Sequence, residues 1–194
     1  MRLAADRIDG AAGSGVNPMP IDLAEHIRNV PDFPIHGVQF KDITSLLLSP
    51  DAFNETIDQM VKLAGAMDVD CLAAVDSRGF IFASPMAMRM GLPLVLLRKA
   101  GKLPGATLSY EYSLEYGHAS LEVHAEDVPQ GGRVLIIDDL VATGGSLQAA
   151  AKLIEKAGGS TAGIGVVIEL IGLGGREALA DHDLFSLVTF EVDE

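Results

Sequence analysis

Val134 to Ile137 is an unbroken run of β-branched and aliphatic residues that ends at two adjacent carboxylates, Asp138 and Asp139. A run so uniformly apolar cannot face water on either side, so it belongs inside a parallel sheet covered by helices on both faces. The residues that follow narrow the fold further. Leu140, Val141 and Ala142 lead into Thr143-Gly144-Gly145-Ser146, and then into good helix formers from Leu147 to Leu153. Strand, glycine-bearing turn and helix in that order gather free backbone N–H groups and two hydroxyls around one point, where the peptide dipoles favour negative charge. That point suits an anion, and a phosphate best. Two acids beside a phosphate would repel it unless sugar hydroxyls that donate to them, or a divalent cation, lie between. A phosphorylated sugar meets both needs. The plainer alternative is a solvated strand end followed by a Gly-rich turn. It would be preferred for a lone Gly-Gly, but less so for twin acids closing an apolar strand ahead of Thr-Gly-Gly-Ser. Neither GxxxxGK[ST] nor a strand-to-helix GxGxxG is present.

The rest of the chain supplies the layers such a strand needs. Cys71 to Val75 reads as a second buried strand closed by Asp76, a helix follows from about Ile81 to Met90, and Leu94 to Leu97 reads as a third strand ending in Arg98-Lys99. Strand, helix and strand with short links make a right-handed crossover, so the fold class is α/β with a mainly parallel central sheet. The ligand then lies beyond the strands' carboxyl ends. Ser49-Pro50-Asp51 is a helix start, with Phe53, Ile57, Met60, Val61 and Ala64 as its apolar stripe. Later come a strand over Ala162 to Leu170, a short helix over Arg176 to Ala180, and an edge strand over Leu184 to Phe190. The final helix and strand could wall a ligand pocket. Near the start, Ile21, Leu23, Ala24, Ile27 and Val30 repeat at helical spacing and predict a short amphipathic helix that breaks at Pro31. Residues 1–20 lack periodicity and are expected to form a disordered extension, leaving 21–194 as a single domain.

Charge limits the partners. A formal net charge of −13 argues against a general nucleic-acid surface. No apolar run approaches membrane-spanning length, and residues 1–20 lack a signal-peptide core, so the expected setting is cytoplasmic. The single cysteine, Cys71, sits among apolar neighbours as a small buried hydrophobe, and the five histidines show no metal-ligand spacing. Yet between Asp76 and Glu111 there is no acid at all, while Arg78, Arg89, Arg98, Lys99 and Lys102 fall there. Either this is a solvated basic loop or it meets an anion. Arg78 and Arg98, each following a strand end, can converge on the edge that carries Asp138 and Asp139, whereas Arg89 is expected at the surface.

Two loops remain. Pro31 to Asp42 holds two further landmarks, Pro34 and Gly37, and the rings of Phe33 and Phe40. It cannot be helical, and its rings are either core plugs or a platform for a flat ligand. Gly101 to Gly117 has glycines and a proline flanking Ser109-Tyr110-Glu111-Tyr112, the composition of a hinged flap with a β-ribbon, and Leu121 and Val123 alternate with Glu122 and His124 as the return strand.

The run from Arg133 to Leu147 resembles the 5-phosphoribosyl 1-pyrophosphate (PRPP) signature of the type I phosphoribosyltransferases. The resemblance implies that Asp138 and Asp139 hold the ribose 2′ and 3′ hydroxyls, and that Ala142, Thr143, Gly144, Gly145 and Ser146 hold the 5′-phosphate. PDFP, Gly37, Phe40 and Asp42 resemble the amino-terminal loop of the adenine phosphoribosyltransferase family, in which Phe40 would stack on adenine and main-chain groups near Gln39 and Lys41 would read its edge. That family usually has an aliphatic residue where Gln39 stands. SLEYG resembles its catalytic lid, which makes Glu115 the general acid for the purine and Tyr116 a residue that encloses the site. Arg78, Arg98, Lys99 and Lys102 resemble its pyrophosphate contacts, some of which can come from a neighbouring subunit. The fold implied is a phosphoribosyltransferase domain with a flexible β-ribbon lid and a small base-binding hood. Adenine and PRPP are the implied substrates, Mg²⁺ enters on PRPP rather than on protein ligands, and the assembly is a homodimer. A transferase for hypoxanthine, guanine, xanthine or a pyrimidine is a second reading. A non-catalytic PRPP-sensing regulator is a third, although residues 1–20 are too short and too neutral to serve as its DNA-binding part.

Overall fold

In the computed structural model, residues 21–113 and 118–192 are described, with the backbone alone at 113 and 118. The predicted extension over 1–20 lies outside them. In chain order the elements are β1 (Arg28–Pro31), β2 (Gln39–Asp42), α1 (Thr44–Leu47), α2 (Pro50–Ala64), β3 (Cys71–Val75), α3 (Gly79–Met90), β4 (Leu94–Lys99), β5 (Leu108–Ser113), β6 (His118–Val123), β7 (Arg133–Val141), α4 (Gly145–Lys156), β8 (Ser160–Ile171), α5 (Gly175–Ala178) and β9 (Leu184–Glu191).

The apolar run became part of β7, the middle one of the five parallel strands in a seven-stranded sheet of order β5-β6-β4-β3-β7-β8-β9. Strands β4, β3, β7, β8 and β9 are parallel, while β6 and β5 are added antiparallel at one edge. Alternate side chains leave a strand on opposite faces, which explains why the run could not alternate with polar residues. Val134 and Ile136 pack with Leu147, Ala150, Leu153 and Ile154 of α4. Leu135 and Ile137 pack with Ile57 and Met60 of α2 and Phe82 and Met86 of α3 on the other face. Cys71 is fully buried in the first of these layers.

Local signals set the helix boundaries. Ser49 accepts a hydrogen bond from the Ala52 amide, and Pro50 opens α2, where its missing N–H has no partner to lose. Gly91, at φ 66°, closes α3 in the left-handed conformation. Among the described residues no helix is long and apolar enough to cross a membrane.

The first segment differs from expectation. The helix predicted from Ile21 to Val30 is only a 3₁₀ turn over Leu23–His26, capped by Asp22, after which β1 pairs antiparallel with β2 as a separate two-stranded sheet. The helical spacing of Leu23 and Ile27 reported burial, since both are in the core, and not a continuous helix. Long-range partners decided the conformation: the Ser45 hydroxyl accepts the Arg28 amide at 3.0 Å, and the Arg28 side chain reaches Asp42 at 2.6 Å.

Candidate active site

The carboxyl ends of the parallel strands open into a cleft of about 1120 Å³. Its floor is the end of β7. Asp138 and Asp139 are 8% and 3% exposed, and the Asp139 amide donates to Asp138 Oδ1 at 2.9 Å. Burial, and then the charge of Asp139, push the Asp138 carboxyl well above the usual carboxylate range. Arg78 Nε stands 2.7 Å from Asp139 Oδ2, but the approach is ionic rather than a directed hydrogen bond, and that buried oxygen has no donor. Gly79 makes the approach possible: a Cβ there would lie 2.6 Å from the Ile137 carbonyl oxygen, so only glycine lets the start of α3 press against the end of β7.

Beyond the acids the chain turns through Ala142 and Thr143 to Gly144, which adopts φ 83° and precedes α4 with no side chain capping the helix. The opening amides of α4 therefore await an acceptor from outside the chain. Residues 138 to 147 all line the cleft. Two buried carboxylates thus sit beside amides that lack an acceptor, an arrangement suited to a ligand carrying hydroxyls and an anionic group.

The opposite wall is the β1–β2 hairpin. Its register puts Asn29, Gln39 and Lys41 on one face, all lining the cleft. Asn29 Nδ2 donates to Gln39 Oε1 at 2.7 Å, Lys41 Nζ donates to Asn29 Oδ1 at 3.1 Å, and Lys41 Nζ also stands 4.3 Å from the Phe190 ring centre. Phe40 lies on the other face of β2. It meets Phe33 edge-to-face at 5.1 Å, and the Arg78 guanidinium is 5.6 Å from its ring. Phe33 is 53% exposed, so it is not a core plug. Leu173, Glu191 and Val192 complete the wall, whereas neither the helix predicted over Arg176 to Ala180 nor the strand predicted over Leu184 to Phe190 contributes a lining residue.

The remaining predicted anion contacts are not brought to the cleft wall. Arg98 Nε donates to Asp76 Oδ2 at 2.8 Å, and the Lys99 amide reaches the same oxygen at 3.3 Å. Burial pushes Asp76 up, but these donors outweigh it and hold the carboxyl below its ordinary value. Lys99 and Lys102 do not line the cleft either. Arg89 pairs at the surface with Asp58 of α2, as expected. Glu115 and Tyr116 lie outside the described residues. The base of their flap is the antiparallel β5–β6 ribbon, where burial, and then the charge of Asp138, raise the Tyr112 hydroxyl.

Sequence reasoning missed Asn29, which becomes visible only once 28–31 is read as a strand paired with 39–42. It also missed Glu169, whose isolation within an apolar strand was the available signal. Glu169 is buried and takes both Nε and Nη2 of Arg176, at 2.7 and 2.5 Å.

A family model for the phosphoribosyl transferase domain matches residues 45–191. The adenine phosphoribosyltransferase of Chloroflexus aurantiacus is 52% identical over 87% of this chain and 98% of that protein, and that of Thermobifida fusca is 51% identical over 86% and 95%. The crystal structure of adenine phosphoribosyltransferase from Thermoanaerobacter pseudethanolicus superposes with a TM-score of 0.84 at 48% identity, covering 87% of this chain and 98% of that one. The Saccharomyces cerevisiae enzyme, solved with an imino-altritol bisphosphate and adenine, gives 0.80 at 34% identity, covering 86% and 96%. With the sheet, the twin acids and the uncapped turn, these likenesses establish that the chain belongs to the adenine phosphoribosyltransferase family.

Proposed function

We propose that this chain transfers the 5-phosphoribosyl group of PRPP to adenine, giving AMP and pyrophosphate, in purine salvage. The observation that carries the reading is the adjacency, in one cleft, of the twin acids Asp138 and Asp139 and the uncapped amides at the start of α4. Ribose hydroxyls donating to Asp138 and Asp139, with the 5′-phosphate on the amides and hydroxyls of Ala142 to Ser146, would satisfy both. Adenine would then lie against the hairpin, with the main chain of Gln39 to Lys41 reading its edge and with Phe40, which here lies on the face of β2 turned away from the cleft, as its stacking surface once ligand reorients the hairpin. In the reaction N9 bonds to the anomeric carbon as the bond to the pyrophosphate oxygen breaks, and the sugar between them develops positive charge. The chain's part is to align N9, to stabilise the departing pyrophosphate with Arg78 and, once ligand draws them in, Arg98, Lys99 and Lys102, and to manage the adenine proton through Glu115. A lid formed by the flap, with Tyr116 in it, would exclude the water that otherwise hydrolyses PRPP.

Mg²⁺ fits as a passenger of PRPP. Asp138 and Asp139, which line the cleft, would lie beside the ribose oxygens of PRPP and so face the ion that it carries. The ion would neutralise charge on the leaving pyrophosphate. We read the working form as a cytoplasmic homodimer with small-molecule substrates.

Purified protein incubated with PRPP, Mg²⁺ and each nucleobase in turn tests the proposal. Pyrophosphate release with adenine is expected. Release only with hypoxanthine, guanine, xanthine or a pyrimidine would overturn the base assignment, and release with none would turn the reading toward a PRPP sensor.

A further inference from the structure

The turn assigned to the 5′-phosphate does not stand unsupported. Gly175, the first residue of α5, lies directly behind it: a Cβ at Gly175 would fall 2.2 Å from the Ala142 carbonyl oxygen and 2.8 Å from Val141 Cγ2. A Cβ at Gly144 would meet the Gly175 carbonyl oxygen at 3.0 Å and Ala178 Cβ at 3.3 Å. Turn and short helix are therefore in main-chain contact, with glycine on both sides because nothing larger fits. Any displacement of α5 passes straight to the backbone of Ala142 to Gly144.

A helix of one turn cannot hold its own position. Arg176 does so instead. Its guanidinium clasps Glu169 of β8 through two nitrogens and donates through Nη1 to the Leu184 carbonyl at 3.1 Å, while Ser186 of β9 donates to Glu169 Oε2 at 2.7 Å. Glu169 is only 6% exposed, and neither it nor Arg176 lines the cleft. Well-packed apolar side chains would usually serve a sheet at least as well as a buried ion pair. What the pair adds is direction, since a planar fork on a carboxylate fixes angle as well as distance.

We propose that Arg176 and Glu169 are positioning residues for the phosphate turn: their ion pair orients α5 so that the Gly175 backbone holds Ala142 to Gly144 in the shape that receives the 5′-phosphate. The inference rests on the reading of that turn as the phosphate site. Its signature is a selective loss of the phosphate's share of binding, leaving the sugar and base shares intact.

Calorimetric titration of AMP and adenosine into full-length wild type, Arg176→Ala, Glu169→Gln, Arg176→Lys and Gly175→Ala reads that share as the ratio of the two affinities. In the wild type AMP is expected to bind far more tightly. In Arg176→Ala and Gly175→Ala the ratio is expected to fall roughly 10- to 100-fold, the scale on which small misplacements act, with adenosine affinity unchanged. Glu169→Gln, which keeps the side chain's shape, should show a smaller fall of the same kind, and Arg176→Lys should recover part of it. In steady-state assays KM for PRPP should rise while KM for adenine stays put. Variants that retain the wild-type ratio, whether or not their melting temperatures drop, would reduce the pair to a structural staple and overturn the inference. A wild-type protein that does not distinguish AMP from adenosine would overturn the phosphate assignment itself, an outcome visible before any substitution is made.

Discussion

The two walls of the cleft are made differently. The wall to which we assign phosphoribose is main chain set on a rigid core: Val134 to Ile137 are wholly buried, and Gly79, Gly144 and Gly175 let backbones approach where no side chain would fit. The wall to which we assign the base is a two-stranded hairpin outside the main sheet, held by the polar contacts of Arg28, Asn29 and Lys41, with Phe33 and Ile35 53% and 57% exposed. The contrast matches the chemistry. A phosphate and a diol have one shape and reward a fixed cradle, whereas a site that must admit a flat base and then close over it needs an element with little holding it open or shut.

The sharpest way to break that contrast is to remove the acids. Asp138→Asn with Asp139→Asn should weaken PRPP binding on the order of 100-fold or more by calorimetry, because a diol then loses two charge-assisted acceptors. Asp138→Asn by itself should stabilise the free protein. Burial holds the Asp138 carboxyl above its ordinary value, so the folded chain keeps a proton that the unfolded chain releases, and stability falls as pH rises through that window. Melting temperature at neutral pH should therefore rise in Asp138→Asn, and its pH dependence should flatten. Unchanged PRPP affinity would strip the acids of their role, and a lower melting temperature would show that they support the fold rather than strain it.

The base side should give smaller and separable effects. Glu115→Ala is expected to lower kcat about 100-fold with little change in either KM, as loss of a general acid does; full activity would return Glu115 to the solvated background. Phe40→Ala should raise KM for adenine about 3- to 10-fold through lost stacking, with PRPP affinity unaltered. If PRPP affinity fell in parallel, the two walls would not be independent, and the comparison would fail.

The same division governs what the sequence revealed. Everything about β7 and its turn is local, since a buried strand, paired acids and a glycine turn are written in consecutive residues, and they appeared in the expected order, although the strand does not stop at the acids but stays paired with β8 through to Val141. The hairpin is not local. Nothing within Ile21 to Val30 says that Arg28 will find Asp42, so a helical period was read where a 3₁₀ turn and an edge strand stand. Arg98 was read as an anion contact from its place after a strand end and from its resemblance to the family's pyrophosphate contacts, and in the structure Asp76, which closes the neighbouring parallel strand, lies close enough to hold it. Glu169 was legible in principle, because a lone carboxylate in an apolar strand requires a cation, but nothing in sequence said that the cation would be Arg176 or that its helix would lie behind the phosphate turn.

The smallest expected effect tests whether the hairpin is the looser wall. Asp42 accepts the Thr44 hydroxyl at 2.6 Å and the Thr44 amide at 2.9 Å, and it pairs with Arg28, which together bring its carboxyl down to about 2. The Thr44 hydroxyl contributes most. Because the folded value lies below the unfolded one, this contribution is present above the ordinary carboxylate range and disappears as pH falls toward about 2. None of these contacts reaches the main sheet, so acid should loosen β1 and β2 while β7 holds. Amide exchange, expressed as protection factors corrected for intrinsic rates, should show the protection of Asn29 and Lys41, which face each other across the hairpin, falling between pH 5 and pH 3, with that of Leu135 and Ile137 constant. In Asp42→Asn the hairpin should be less protected at pH 5 and should no longer respond to acid. If hairpin and central strand lose protection together, the base wall is part of the same cooperative unit as the phosphate cradle, and the difference between them is one of exposure and not of stability.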